Sequence, residues 1–522
     1  MSFQDSYSRA RAVGRAANGP ASTASVRVSS LRPEEARSRD EPFECAVLFI
    51  FGALAVILGV LMVVPAVVEI AADGEDYFAF LWSAALSIFF GMALVLTNRQ
   101  ESIVLNIRQT FLLTTLTWFG LSFLAGIPFM FGHLKLSLAD AWFETVSGLT
   151  TTGSTVLTGL DSMSPGILLW RALLQWIGGL GIIVMGVAVL PFLRVGGMQL
   201  FRTESSDRSE KLFGRVNQIA AAMLYIYGGL SVLCATLYWT GGMTVFEAVV
   251  HAMTTLSTGG YSTSDQSIAH FPNPAVHWTA TVFMLAGGLP FVPLAHALGG
   301  GLQSLLANSQ IRAIMGFLAI VIATMTLWLW LRNDVPAADA LRLVAFNVVS
   351  IATTTGYAVG DYGQWGPFAV GVFFLLLFVG GCTGSTGGGI KIFRFQVMGR
   401  IIAGHFRSLV TPHAVSVIKY DGRLLDDGVI RSVMIFTVTF VATVTALALI
   451  LVALGLDFMT SFSGAATAVA NVGPGLGEII GPAGTFASLP DAAKWVLSLG
   501  MLLGRLEFFT VLVVLTPRFW RG

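Results

Sequence analysis

Charged side chains are scarce in this chain. Of 522 residues only 11% are Asp, Glu, Lys or Arg, against roughly 25% in a soluble domain, which excludes an ordinary water-soluble fold. Basic and acidic residues nearly cancel, 30 against 29, and a net charge of +1 leaves no footprint for nucleic acid. Cysteine is almost missing. Cys45, Cys234 and Cys382 sit in apolar or glycine-rich surroundings without metal-ligand spacing, so neither a disulfide framework nor a zinc site is expected. No Ser/His/Asp or Cys/His set and no paired carboxylates point to catalysis, and the chain does not read as an enzyme.

What the chain has is apolar length. Hydrophobic residues make up 55% and the mean hydropathy is +0.77. The first 42 residues stand apart: rich in Ser, Ala and Arg, and without an apolar run long enough for a signal peptide, they read as a disordered cytoplasmic tail. Acidic residues such as Asp5, Glu34 and Glu35 argue against a transit peptide. Apolar spans of about 20 residues then predict ten transmembrane helices, near 43–70, 77–97, 109–131, 166–193, 217–240, 276–304, 311–332, 367–398, 430–455 and 491–516. Four shorter apolar stretches, 138–149, 244–256, 339–352 and 459–470, are too short to cross.

Each short stretch runs into a Thr/Ser-rich or Asn-containing turn that ends in glycine. The four turns lie in 147–154 (SGLTTTGS), 253–261 (MTTLSTGGY), 350–357 (SIATTTGY) and 467–475 (TAVANVGPG). Four like units inside a membrane protein point to a central pore, because four backbones around one axis can replace an ion's hydration shell. The expected fold is an all-α polytopic membrane protein. Two leading helices (43–97) precede four parallel helix–pore-loop–helix units at 109–193, 217–304, 311–400 and 430–516. Aligning the first glycine of each turn predicts a filter of Thr151, Thr152 and Gly153; Ser257, Thr258 and Gly259; Thr354, Thr355 and Gly356; and Asn471, Val472 and Gly473. Pore helices direct their partially negative C-terminal ends at the cavity, which favours a cation. Arg99, Arg108, Arg202, Lys211, Arg312, Lys391, Arg400 and Arg518 all fall on one side, so the positive-inside rule puts both termini in the cytoplasm.

Three further features carry expectations. Six glycines within 380–389, inside the predicted inner helix of unit three, cannot form a stable helix at about 1 kcal/mol each relative to alanine. Unpaired backbone in a bilayer must face protein or water, so the run lies in the pore or a cavity, or makes a close-packed kink. Arg505, an always-charged side chain in an apolar run, is a functional candidate by default. Glu144, Glu247 and Asn347 on the pore helices are expected to hydrogen-bond the backs of the filter loops. His251 is either a satisfied core histidine or a proton relay.

The four turns, the run 380–391 (GGCTGSTGGGIK), the segment 470–477 (ANVGPGLG) and the ending 504–520 (GRLEFFTVLVVLTPRFW) resemble the Trk/Ktr/HKT superfamily of potassium-transporting subunits, and the two leading helices favour its TrkH-type branch. The resemblance covers roughly 43–522. It implies uptake of potassium, with the ion bound in the filter and no organic cofactor in this chain, across the inner membrane. Glycine rather than serine at Gly153 goes with potassium in that superfamily. The resemblance makes Gly384, Ser385, Thr386, Gly387, Gly388 and Gly389 an intramembrane gating loop, with Arg505 repelling cations or holding the loop. It also implies a cytosolic TrkA-like regulatory subunit that binds nucleotide, and a homodimer in the lipid bilayer. A proton- or sodium-coupled symporter, or a less selective potassium/sodium transporter, stays open.

Overall fold

The computed structural model describes residues 44–100, 105–188, 212–298, 301–411 and 418–521. The predicted tail, residues 1–42, lies outside them. The regular structure described is helical apart from a short hairpin of two-residue strands, β1 (Lys419–Tyr420) and β2 (Arg423–Leu424).

Helices α1 (Cys45–Ala71) and α2 (Tyr77–Thr97) form the leading pair. Their close approach depends on glycine: a Cβ on Gly52 would fall 2.7 Å from the Gly91 carbonyl oxygen, and one on Gly91 2.6 Å from that of Gly52. Small residues substitute here for a hydrophobic driving force that lipid does not provide. The pair is tied to unit one by buried Glu69, whose carboxylate accepts from Gly166 N at 2.6 Å and Ser164 Oγ at 2.5 Å. That places an anion at the start of helix α5, where the helix dipole favours it.

Unit one comprises α3 (Ile107–Phe131), the short α4 (Leu138–Leu149) and α5 (Pro165–Ala188); unit two, α6 (Leu212–Thr240), the short α7 (Val245–Leu256) and α8 (Pro274–Gly288). The chain then turns through α9 (Phe291–Leu298) and α10 (Leu302–Ala307). Unit three follows with α11 (Ser309–Arg332), the short α12 (Ala337–Ala352), α13 (Pro367–Leu376) and α14 (Ile392–Val410). Unit four has α15 (Asp427–Ala453), the short α16 (Phe458–Ala470), α17 (Asp491–Arg505) and α18 (Phe509–Val514), and α19 (Pro517–Arg521) ends the described chain. Three of the short helices start at an oxygen-bearing cap that satisfies an orphan amide: Ser137 accepts from Asp140 N, Thr244 from Glu247 N and Asp457 from Thr460 N.

The ten unbroken spans expected from hydropathy are not what folds. Among the described residues seven helices are long and apolar enough to cross a membrane, because the second long helix of units two, three and four is broken. The predicted 276–304 breaks at Leu289-Pro290, where proline cannot continue the ladder. The predicted 367–398 gives way to the glycine run after α13, and 491–516 breaks between α17 and α18, where Glu507 and Phe508 adopt φ of 55° and 56°.

Candidate functional site

Every short helix ends in the same backbone manoeuvre. Thr152 N, Gly259 N, Thr355 N and Val472 N donate to the carbonyls of Ser147, Thr254, Ser350 and Thr467 at 2.9, 2.9, 2.8 and 3.0 Å. The residue before each is left-handed: φ is 52° at Thr151, 52° at Thr258, 60° at Thr354 and 55° at Asn471. Asparagine tolerates this region, but a β-branched threonine in it is an outlier worth roughly 1–3 kcal/mol of strain. Two residues on, φ is positive again, at Gly153 (89°), Gly260 (79°), Gly356 (84°) and Gly473 (113°).

That register corrects the sequence alignment by one residue in unit two. Gly260, not Gly259, lines up with Gly153, Gly356 and Gly473, while Ser257 lines up with Thr150 and Thr353. A tandem glycine cannot be aligned by identity alone; only the backbone conformation distinguishes the two. The same shift reassigns the supporting polar residues. Asn347 does hold the back of its loop, exchanging hydrogen bonds with Val359 N and O at 3.1 and 2.9 Å, and Glu144 accepts from Val156 N at 3.0 Å. In unit two the equivalent residue is His251, whose Nε2 lies 3.0 Å from Ser262 Oγ. Glu247 instead closes the capping box of its own helix with Thr244.

The four turns close on one another in order. A Cβ on Gly153 would lie 2.2 Å from the carbonyl oxygen of Gly259, one on Gly260 2.0 Å from that of Thr355, one on Gly356 2.1 Å from that of Val472, and one on Gly473 2.8 Å from that of Thr152. Each glycine therefore abuts the carbonyl that precedes the next unit's glycine, and the fourth unit returns to the first. Side chains reinforce the closing seam: Ser154 Oγ donates to Gly473 O at 2.7 Å, Asn471 Nδ2 to Thr152 Oγ1 at 3.0 Å, and buried Lys494 pairs with Asp140 at 2.5 Å.

Behind units one and two lies a buried ion pair that the sequence reading passed over. Arg171 Nε meets Glu144 Oε1 at 2.8 Å with both side chains out of water; Arg171 also donates to Ser262 O at 3.1 Å and stacks 4.0 Å over Tyr261. The available signal was a charged residue within the apolar span 166–193, the same signal that singled out Arg505.

The glycine run lies against the turns. Gly388 N donates to Thr354 Oγ1 at 2.7 Å, Thr386 Oγ1 lies 3.1 Å from Thr258 Oγ1, and a Cβ on Gly388 would meet the Ala470 carbonyl oxygen at 2.3 Å. Gly384 O accepts from Phe291 N at 3.1 Å, Ser385 Oγ donates to Cys382 O at 2.7 Å, Lys391 bonds the Gly387 carbonyl, and Gly389 turns at φ 65°. Arg505 reaches into this segment: Nη1 donates to Thr386 O at 2.8 Å and Nη2 to Gly178 O at 3.3 Å, with the guanidinium 6.0 Å from the Trp118 ring. Glu507 belongs to another partner, Arg394, at 2.6 Å.

Four like units, each turning through a glycine and joined in one closed ring, together with seven described helices long and apolar enough to cross a membrane, define a polytopic membrane protein built from four repeats. Residues 77–521 match the family model described as TrkH, cation transport protein. The chain belongs to the TrkH family, and so to membrane transport proteins rather than enzymes. It is 49% identical over 476 residues to the Trk system potassium uptake protein TrkI of Halomonas elongata, covering 91% of this chain and 96% of that protein. The Trk system potassium uptake protein TrkH of Salmonella typhimurium is 36% identical over 482 residues, covering 91% and 99%. The crystal structure of the potassium transporter TrkH from Vibrio parahaemolyticus superposes with a TM-score of 0.85 at 34% identity, covering 91% of this chain and 99% of that one.

Proposed function

We propose that this chain takes potassium into the cell through a selective, gated pore whose filter is the ring of turns at Gly153, Gly260, Gly356 and Gly473. The observation that carries the reading is the cyclic contact of each glycine with the carbonyl before the next, which assembles four backbone strands where an ion's hydration shell can be replaced. Four short helices end at this ring, and their partially negative C-termini favour a cation there. The relatives, potassium uptake proteins of the Trk system, support the choice of ion.

The segment 384–389 lies directly against the turns and is the gate, with Arg505 as its latch: a guanidinium hydrogen-bonded to Thr386 O holds the loop across the path of the ion. The described cytoplasmic connections are short, and the control is assigned to a cytosolic TrkA-like subunit carrying the nucleotide site. The membrane protein works as a homodimer in the inner membrane with both termini in the cytoplasm.

Purified protein in liposomes at imposed voltage tests this. Potassium flux with a reversal potential following the potassium gradient supports the pore; one that moves with the proton or sodium gradient shows coupled transport instead. A deletion within 384–389 should raise flux while leaving potassium preference intact. A folded deletion variant that conducts no faster refutes the gate.

A further inference from the structure

Helix α5 of unit one reaches across to the filter strand of unit two. Gln175 is fully buried; its Nε2 donates to Gly259 O at 2.6 Å and its Oε1 accepts from Tyr261 N at 3.0 Å, so one amide straddles Gly260. One helical turn earlier, Arg171 holds Ser262 O.

The strand so gripped is the one that lacks a side chain of its own. At the position before the ring glycine, unit one has Thr152, whose hydroxyl lies 2.7 Å from that of Thr150, and unit three has Thr355, 2.9 Å from Thr353; unit four has buried Val472. Unit two has Gly259, followed at once by Gly260, the most permissive pair of backbone residues available. A Cβ built on Gly259 would fall 2.3 Å from Gln175 Cδ, so the glutamine amide fills the volume of the missing side chain.

The inner helices of units two and four are built differently. Gly178, Gly287 and Gly504 share one position, since a Cβ on each would strike the carbonyl oxygen of Leu149, Leu256 or Val469 at 1.9, 2.8 or 1.9 Å. Three residues before them stand Gln175, Met284 and Met501. Methionine has no hydrogen to donate, so the amide clamp belongs to the one seam where the neighbouring strand is bare.

We propose that Gln175 is a specificity-determining residue, a positioning group that supplies from unit one the side chain unit two lacks and holds the Gly259 carbonyl in the ring. The inference rests on the filter reading above. Without the clamp the tandem glycines relax, one quarter of the ring loses its fixed spacing, and a smaller cation is no longer held off.

The test uses the full chain in liposomes, with the potassium-to-sodium permeability ratio read from reversal potentials. Gln175→Met, which imposes the residue of units two and four, should lower the ratio at least about fivefold, the worth of one of the two hydrogen bonds it removes, while current persists. Gly259→Thr alone should fail, because its side chain meets Gln175. Gly259→Thr combined with Gln175→Ala should recover the ratio, because unit two then carries its own threonine as units one and three do. A wild-type ratio in folded Gln175→Met, or a double variant no more selective than Gln175→Ala, overturns the proposal. Should Gln175→Met not reach the membrane, the double variant decides alone. A wild type that does not discriminate potassium from sodium refutes the filter reading itself; a selective wild type with an indifferent Gln175 refutes only this inference.

Discussion

Substituting the ring glycines by alanine separates two effects that usually travel together. The first is conformational: φ at Gly153, Gly260 and Gly356 lies between 79° and 89°, and an L side chain there costs roughly 1–2 kcal/mol. The second is steric. Against an ordinary contact of 3.4 Å or more, the added Cβ would meet backbone oxygen at 2.2, 2.0 and 2.1 Å, and backbone cannot swing aside as a side chain can. Forcing the strands apart adds about 1–3 kcal/mol, and it widens the ring itself. Gly360 supplies the control, with φ of 75° and nothing within 4 Å of its Cβ position. Gly360→Ala should therefore cost only the conformational part and leave ion preference at the wild-type value. Gly153→Ala, Gly260→Ala and Gly356→Ala should each lose about 2–5 kcal/mol in all, and their surviving protein should admit sodium. Gly473→Ala, with 2.8 Å to the Thr152 oxygen, should be sterically milder than the other three. Thermal unfolding in detergent and reversal potentials in liposomes read the two effects separately. If Gly153→Ala and Gly360→Ala prove equal in both assays, the closed ring does not constrain the ion.

Other outcomes follow from the same geometry. Arg505→Ala removes the bonds to Thr386 O and Gly178 O and should raise partner-independent potassium flux, measured in the same liposomes; loss of folded protein with no flux gain would make Arg505 an anchor. Arg171→Met leaves Glu144 buried without its cation and should cost about 3–5 kcal/mol, read as a fall in unfolding temperature, whereas Glu247→Gln at the rim of its helix should cost far less. In the connection between α4 and α5 of unit one, Asp161 is held below its ordinary pKa of 3.8 chiefly by a hydrogen bond from Ser264. A depressed carboxyl contributes stability above the unfolded value and loses it as pH falls through the folded one. The contribution of Asp161 should thus be intact down to about pH 4 and be lost below, and Asp161→Asn should flatten that part of the acid response in a thermal-shift titration.

Much of this architecture is legible in the sequence because lipid imposes length. The short helices at 138–149 and 245–256 start and stop within a residue of the apolar stretches, with Ser137 and Thr244 as caps. The break at Glu507 and Phe508 was not legible, for neither left-handed position is a glycine and Gly504 before it still lies within α17. It accompanies the ion pair between Glu507 and Arg394, 113 residues apart in sequence. The tandem glycine hid the register of unit two, since sequence shows which residues can turn left-handed and not which one does. Gln175 escaped notice for a related reason: its partners are backbone atoms of another unit, and a backbone atom leaves no trace in residue identity.

The seam between the fourth and first units has a consequence for how the protein is made. Ser154 and Gly473, like Thr152 and Asn471, are 319 residues apart. At ribosomal rates of about 5–20 residues per second, the first turn waits roughly 15–65 s for its last neighbour. During that interval the strained Thr151 and the unpaired edge of unit one sit in the membrane with one flank open. A chain interrupted after unit three can bury its helices yet leaves an incomplete ring, so closure of the ring is a property that waits for the fourth unit.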